Sequence, residues 1–185
     1  MYIRTKTRTN KSKNTYTYAY LAVIKQRKSH PKQKIVKYLG RVYKFYKKSN
    51  NLPVIAPESS FQDSLREIIK TELINHDFNE ISPDKLKNND IEINLDQTTI
   101  INAKTNKKAC IEMNQGLMCE ETLKKLLYYK PPKDNMQKVS KHFAKTAIEA
   151  GIPISDDIIN VFKKIQAMIN NPQQSQTMPN NQKRI

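Results

Sequence analysis

Polar and β-branched positions alternate from the second residue onward. Tyr2, Arg4, Lys6 and Arg8 fall on one set of positions, and Ile3, Thr5 and Thr7 on the other. A side-chain period of two with β-branched content predicts a strand over 2–9. The polar run Asn10-Lys-Ser-Lys-Asn14 predicts a turn. From Thr15 to Gln26 the alternation resumes, with Tyr16, Tyr18, Tyr20, Ala22 and Ile24 on one face and Thr17, Ala19, Leu21 and Val23 on the other. This is the strongest strand signal in the chain. Arg27 to Pro31 breaks it. Gln33 to Leu39 predicts a third strand ended by Gly40, with Val42 to Tyr46 able to extend the sheet. Connections this short and polar favour an antiparallel meander.

Beyond residue 57 the period changes. Lys47 to Pro57, with Ser-Asn-Asn and two prolines, predicts a linker. Ser60-Phe-Gln-Asp63 has capping-box character. Phe61, Leu65, Ile68, Ile69 and Leu73 then recur at helical spacing to about Asn75. Extended stretches follow at Ile91–Leu95, Thr99–Ala103 and Ala109–Met113, and the Thr105-Asn-Lys-Lys turn makes a hairpin of the last two. Glu120 to Tyr129 predicts a short helix stopped by Pro131-Pro132. Asp134 to Ala150 predicts a longer one, with Val139, Phe143, Ala147 and Ile148 inward and Gly151 as its stop. Ser155-Asp-Asp opens a last helix with Ile158, Ile159, Phe162, Ile165 and Ile169 on its apolar face. From Asn170 the composition is that of a disordered tail.

The fold class expected is α+β. A basic antiparallel β-module (1–46) is joined by a linker (47–57) to a mixed domain (58–169) with a small sheet and about four helices. A tail (170–185) follows. On this reading a chain starting near Asn50 folds by itself.

Charge changes the picture of the first module. Fifteen Lys and Arg precede the first acidic residue, Glu58, whereas the remaining 128 residues hold 18 basic and 17 acidic side chains. Nearly all of the net charge of +16 therefore sits in less than a third of the chain. Such segregation implies a polyanionic partner for that end of the molecule. Binding nucleic acid requires cations that displace condensed counterions, and a shape that enters a groove or carries stacking rings. The candidate contact residues are Arg4, Lys6, Arg8, Lys11, Lys13, Tyr16, Tyr18, Lys25, Arg27, Lys28, Lys34, Lys37 and Arg41. Tyr20 is expected to pack against the protein, because Ala22 and Ile24 continue its face. For Tyr16 and Tyr18, stacking on bases and packing of the sheet both remain open.

Composition excludes several other classes. Three glycines in 185 residues argue against phosphate-cradling loops and a dinucleotide fingerprint. No apolar run approaches the ~20 residues of a membrane-spanning helix, and the basic N-terminus lacks the apolar core of a secretory signal. The expected location is the cytoplasm, with nucleoid or ribosome. Cys110 and Cys119 make no Cys-x-x-Cys, and His30, His76 and His142 are scattered, so neither a metal nor another cofactor is expected.

Three short motifs carry a resemblance. Tyr-Ile-Arg at 2–4, Tyr-Ala-Tyr-Leu at 18–21 and Lys-Gln-Lys-Ile-Val-Lys-Tyr-Leu-Gly at 32–40 resemble the basic N-terminal module of some insertion-sequence transposases. The whole chain is also similar to an uncharacterised archaeal protein family with the same opening. In that family later segments match Met-Asn-Gln-Gly-Leu-Met-Cys at 113–119 and Ala-Gly-Ile-Pro-Ile at 150–154. The transposase resemblance covers about a quarter of the chain. It implies DNA contact for Arg4, Lys34 and Arg41. No stretch matches a transposase catalytic domain, so it supports a binding module and not strand transfer.

Other signals have bland readings. Phe143 to Ile165 has a helix–turn–helix outline, but its turn is one residue too long and Asp156-Asp157 would face phosphate, so a helical hairpin is preferred. Asp84, Asp90, Glu92 and Asp96 form an acidic cluster that would suit a metal-dependent nuclease, yet acid on the solvent side of a hairpin is common. Cys119 at a helix start has the position of a lowered-pKa thiol, but it lacks a nearby base and reads as a small buried hydrophobe. The reading is a non-catalytic nucleic-acid-binding protein with DNA preferred and ribosomal RNA as runner-up. The C-terminal part offers a platform for a protein partner or homodimer.

Overall fold

The computed structural model describes residues 1–25, 32–56, 58–130, 136–156 and 158–159. The opening alternation folds as three antiparallel strands, β1 (Tyr2–Thr9), β2 (Thr15–Lys25) and β3 (Lys32–Lys44). The β1–β2 turn closes as the polar run predicts. Asn10 and Asn14 exchange a backbone bond of 2.9 Å, the Asn14 amide also donates to Asn10 Oδ1 at 2.9 Å, and Lys13 takes a left-handed φ of 61°.

Gly40 does not end the third strand. β3 runs through it, and Gly40 is the point of closest approach to a neighbouring strand. Its φ is 141°, and a Cβ there would lie 2.6 Å from the Lys108 carbonyl oxygen. Only glycine fits both the conformation and the gap. That neighbour is β8 (Lys107–Met113), which pairs in parallel with β3 from Arg41↔Ala109 to Lys44↔Glu112.

The basic module and the small sheet expected beyond it therefore form one nine-stranded sheet. Its order is β1-β2-β3-β8-β7-β6-β5-β4, and β9 (Gly116–Met118) pairs with β8 off that path. The added strands are β4 (Asn79–Ser82), β5 (Lys85–Asn88), β6 (Ile91–Asn94) and β7 (Thr99–Asn102), an antiparallel meander that ends in the expected β7–β8 hairpin. Its turns use left-handed Asp84, Asn89 and Asn106, residue types that tolerate positive φ through local side-chain bonds.

The polar stretch after β3 is held in place. Asn75, 1% exposed, donates to the Asn51 carbonyl, accepts from the Asn51 amide and the Ser49 hydroxyl, and takes the Lys48 amide on its own carbonyl at 2.7 Å.

Three helices are present among the described residues, against about four expected. In α1 (Phe61–Asn75) the Ser60 hydroxyl caps the Asp63 amide at 3.1 Å, and Phe61, Leu65, Ile68, Ile69 and Leu73 are buried. α2 is Glu120–Leu127 and α3 is Met136–Glu149, ended by Gly151 at φ 79°. Val139, Phe143 and Ala147 are buried as expected, but Ile148 is 54% exposed, because it lies one residue past the buried stripe. Beyond Ile159 the expected last helix, the second half of the helix–turn–helix outline and the tail lie outside the described residues. No described helix is long and apolar enough to cross a membrane.

Two cores result. The larger packs the three helices on the meander, with Phe78, Leu86, Ile93, Ile111, Met113 and Met118 at its centre. The smaller joins Ala19, Leu21 and Leu39 to Cys110 and Cys119, with Ile3, Val42 and Leu117 around them. It covers the back of β1–β3 and so decides which face stays open.

Candidate nucleic-acid interface

Residues directly opposite each other in an antiparallel pair share a face. β1 sets Arg4 opposite Tyr20, Lys6 opposite Tyr18 and Arg8 opposite Tyr16, while β3 sets Tyr38 opposite Tyr20 and Arg41 opposite Tyr18. The front of the three strands thus carries four rings interleaved with four cations. Successive cations on β1 are spaced by about 7 Å. Ile3, Ala19, Leu21 and Leu39 take the other side into the smaller core.

The rings and cations order one another. The Arg41 guanidinium lies 4.1 Å from the Tyr16 ring centroid and 4.9 Å from that of Tyr43, in cation–π range. Lys6 Nζ is 5.9 Å from the centre of Tyr20. Tyr38 lies 5.6 Å from Tyr20 and 6.4 Å from Tyr18, tilted to both. Arg4 donates to the Gln33 side-chain oxygen. Burial pushes the Tyr38 phenol up, with Tyr18 and Tyr20 adding to the rise, so its hydroxyl stays neutral at physiological pH. Tyr20, expected to pack inward, is a half-buried member of this front face.

Beyond Tyr18 the β1–β2 hairpin leaves β3 behind. Among the described residues Thr7–Thr9 and Thr15–Thr17 pair only with each other, with added cross-strand hydroxyl contacts of 3.2 and 3.3 Å. The result is a two-stranded ribbon with Arg8 and Tyr16 on one side and exposed Lys11 and Lys13 at its tip.

The other expected contacts are dispersed. Lys25 and Lys34 share the parity of Val23 and so belong to the opposite face, at the far end of the sheet, where both are exposed. Lys37, opposite Leu21, turns inward. Its ammonium bonds Glu121 at 2.6 Å and Glu120 at 3.4 Å, and the Glu121 bond raises its pKa. Lys37 is thus a clamp on the start of α2 and not a presented cation, because two bulges in β3 set its direction. Arg27 and Lys28 lie outside the described residues.

The front-face cations are uncompensated. Among the described residues Arg4, Lys6, Arg8, Lys11, Lys13 and Arg41 make no ion pair, whereas Arg66, Lys70, Lys104, Lys108 and Lys124 each hold a carboxylate within 4 Å. Three of the four residues of the acidic cluster are taken up in this way. Asp84 and Asp96 converge on Arg66, at 3.1 and 3.8 Å, and Asp90 pairs with Lys104 at 3.0 Å. Tyr38 is the front-face residue that the alternation pattern missed. A register fixed by bulges at Ala19/Tyr20 and Leu21/Ala22 leaves no mark in the period of one strand.

Cys110 and Cys119 are both 0% exposed. The Cys110 thiol beside Cys119 draws it down, helped against burial by the Thr122 amide and hydroxyl, and Cys110 is raised in return. No protein-family model matches the chain, and no curated protein or solved structure is similar to it at a significant level.

Proposed function

We propose that this chain is a non-catalytic nucleic-acid-binding protein and that the front of β1–β3, with the hairpin ribbon, is its contact surface. One observation carries the reading: six cations on this surface lack a carboxylate partner among the described residues, while Arg66, Lys70 and Lys108 elsewhere in the molecule each hold one. Unpaired surface charge of one sign is what counterion release from a phosphate backbone uses. A two-stranded ribbon is of a size that enters a major groove. DNA is the preferred ligand, as the transposase-like opening implies. Ribosomal RNA is the second reading, and the exposed Tyr38 ring favours it, because unpaired bases stack on such rings.

The test is a salt titration with duplex DNA, single-stranded DNA and structured RNA at equal phosphate concentration. With roughly 5 to 8 cations engaged, log K falls against log[salt] with a slope on the order of −4 to −7 on duplex DNA. A slope near −1 would remove the reading. If the protein instead cosediments with ribosomal subunits after DNase treatment, RNA takes the first place.

A further inference from the structure

β1 is an end strand of the sheet, so one of its two backbone edges has no partner strand among the described residues. Beside it lies a groove of about 860 Å³ lined by Ile3 and Thr5 of β1, Leu117 of β9 and Ile148 of α3, with both cations, Lys141 and Lys145, and carboxylates, Glu112 and Glu149, at its walls. Ile148 is 54% exposed there. Tyr2 also lines the groove, and its hydroxyl is buried with no hydrogen-bond partner among the described residues. Lys141 makes no ion pair among the described residues, and Lys145, one turn along, reaches Glu149 only at 3.9 Å.

A groove between an end strand and a helix is the geometry in which an extended peptide adds to a sheet as a further strand. Strand alternation then dictates what the peptide must be. Its residues opposite Ile3 and Thr5 enter the groove, where Ile3, Leu117 and Ile148 favour apolar side chains. Its residues opposite Arg4, Lys6 and Arg8 emerge on the front face, where three cations favour carboxylates. A second copy of β1 would set cation against cation across the same register, which is unfavourable.

We infer that this edge binds an extended segment of an acidic partner protein, with Asp or Glu alternating with apolar residues. The inference stands independently of nucleic-acid binding, although Arg4, Lys6 and Arg8 would serve both ligands and so make them compete.

A phage-displayed library of short random peptides, panned on the full chain near physiological salt, tests it. The expected result is enrichment of sequences with alternating acidic and apolar residues. Affinity for such a peptide should fall about tenfold or more in Ile148→Arg, although that variant is more basic. Proline at an inner peptide position should abolish binding, because it removes a ladder amide. Four results would overturn the inference: no enrichment, enriched sequences without alternation, equal or tighter binding by Ile148→Arg, or a dimer of this chain that Ile148→Arg dissolves.

Discussion

The two ends of the sheet use the same kind of side chain in opposite ways. At the β4–β7 end and on α1, Arg66 and Lys70 sit among Asp84, Asp96 and Glu80, so these two charges are spent within the protein. At the β1–β3 end, Lys6 and Arg41 stand over tyrosine rings, Arg4 and Arg8 lie opposite Tyr20 and Tyr16, and none of the four makes an ion pair among the described residues. The boundary between the two regimes is not the linker. It runs along β3, where Lys37 bonds Glu120 and Glu121, and Lys44 bonds Glu112 at 3.1 Å. Net charge by segment therefore overstates the cations free to meet a ligand.

The largest effect expected from breaking this comparison is on folding. A chain starting at Asn50 loses β3, which leaves the β8 edge from Ala109 to Glu112 unpaired and opens the core around Cys110 and Cys119. Unpaired buried backbone groups and a lost core layer together cost more than a typical domain stability of about 5–15 kcal/mol leaves to spare. Circular dichroism should show loss of a cooperative thermal transition. A sharp transition for this fragment would mean that the two ends of the sheet are separate domains after all.

A smaller effect, confined to the front face, is expected from Arg4→Gln, Lys6→Gln and Arg8→Gln together. The salt slope should shrink by about 2 to 3, and affinity at physiological salt should fall roughly 10- to 100-fold. No ion pair is lost, so the thermal midpoint should move little. Unchanged affinity would place the contact elsewhere, on the ribbon tip or at Lys25 and Lys34.

What was legible in the sequence was whatever depended on one element at a time. The Tyr16–Ile24 alternation, the Phe61–Leu73 stripe, the Ser60 cap and the Gly151 stop are local, and each sits where its period or residue type put it. β4 and β5 were not legible, because Asn-Glu-Ile-Ser and Lys-Leu-Lys-Asn offer one apolar residue each and gain their strand state from neighbours. The parallel β3–β8 join was illegible for another reason, since its first partners, Arg41 and Ala109, are 68 positions apart in the chain. The front-face cations were legible as charge, but not as a face. Sorting Lys37 from Arg41 needed the bulge between them, at Ala19/Tyr20.

The clamp between the two regimes should answer to pH. Hydrogen bonds from Lys108 and Lys124, with Lys37 nearby, hold Glu120 down at about 2 against an ordinary 4.5. A carboxylate held below its unfolded value contributes stability that is fully present above pH 4.5 and is lost as pH falls through about 2. Glu120→Gln should therefore lower stability at neutral pH by on the order of 1–3 kcal/mol. The gap from the natural chain should narrow between pH 4.5 and 2. A gap that stays constant through that window would show that packing, and not charge, makes the difference.

The smallest expected effect concerns the rings. Tyr16 is engaged by Arg41, and Tyr18 faces Tyr38, so each already has a partner on the protein. If they serve only to order the cations, Tyr16→Ala and Tyr18→Ala weaken duplex and single-stranded ligands alike. If they stack on bases, single strands suffer more, by about 1–3 kcal/mol per base lost. Tyr38→Ala separates these cases. At 44% exposed it is open to a base, and its removal disturbs Tyr18 and Tyr20 but leaves Arg41 on Tyr16. Competition between single-stranded and duplex DNA, measured by fluorescence anisotropy, should show a shift toward the duplex in Tyr38→Ala. An unchanged ratio would leave this face as a bed of ordered cations that reads phosphate alone.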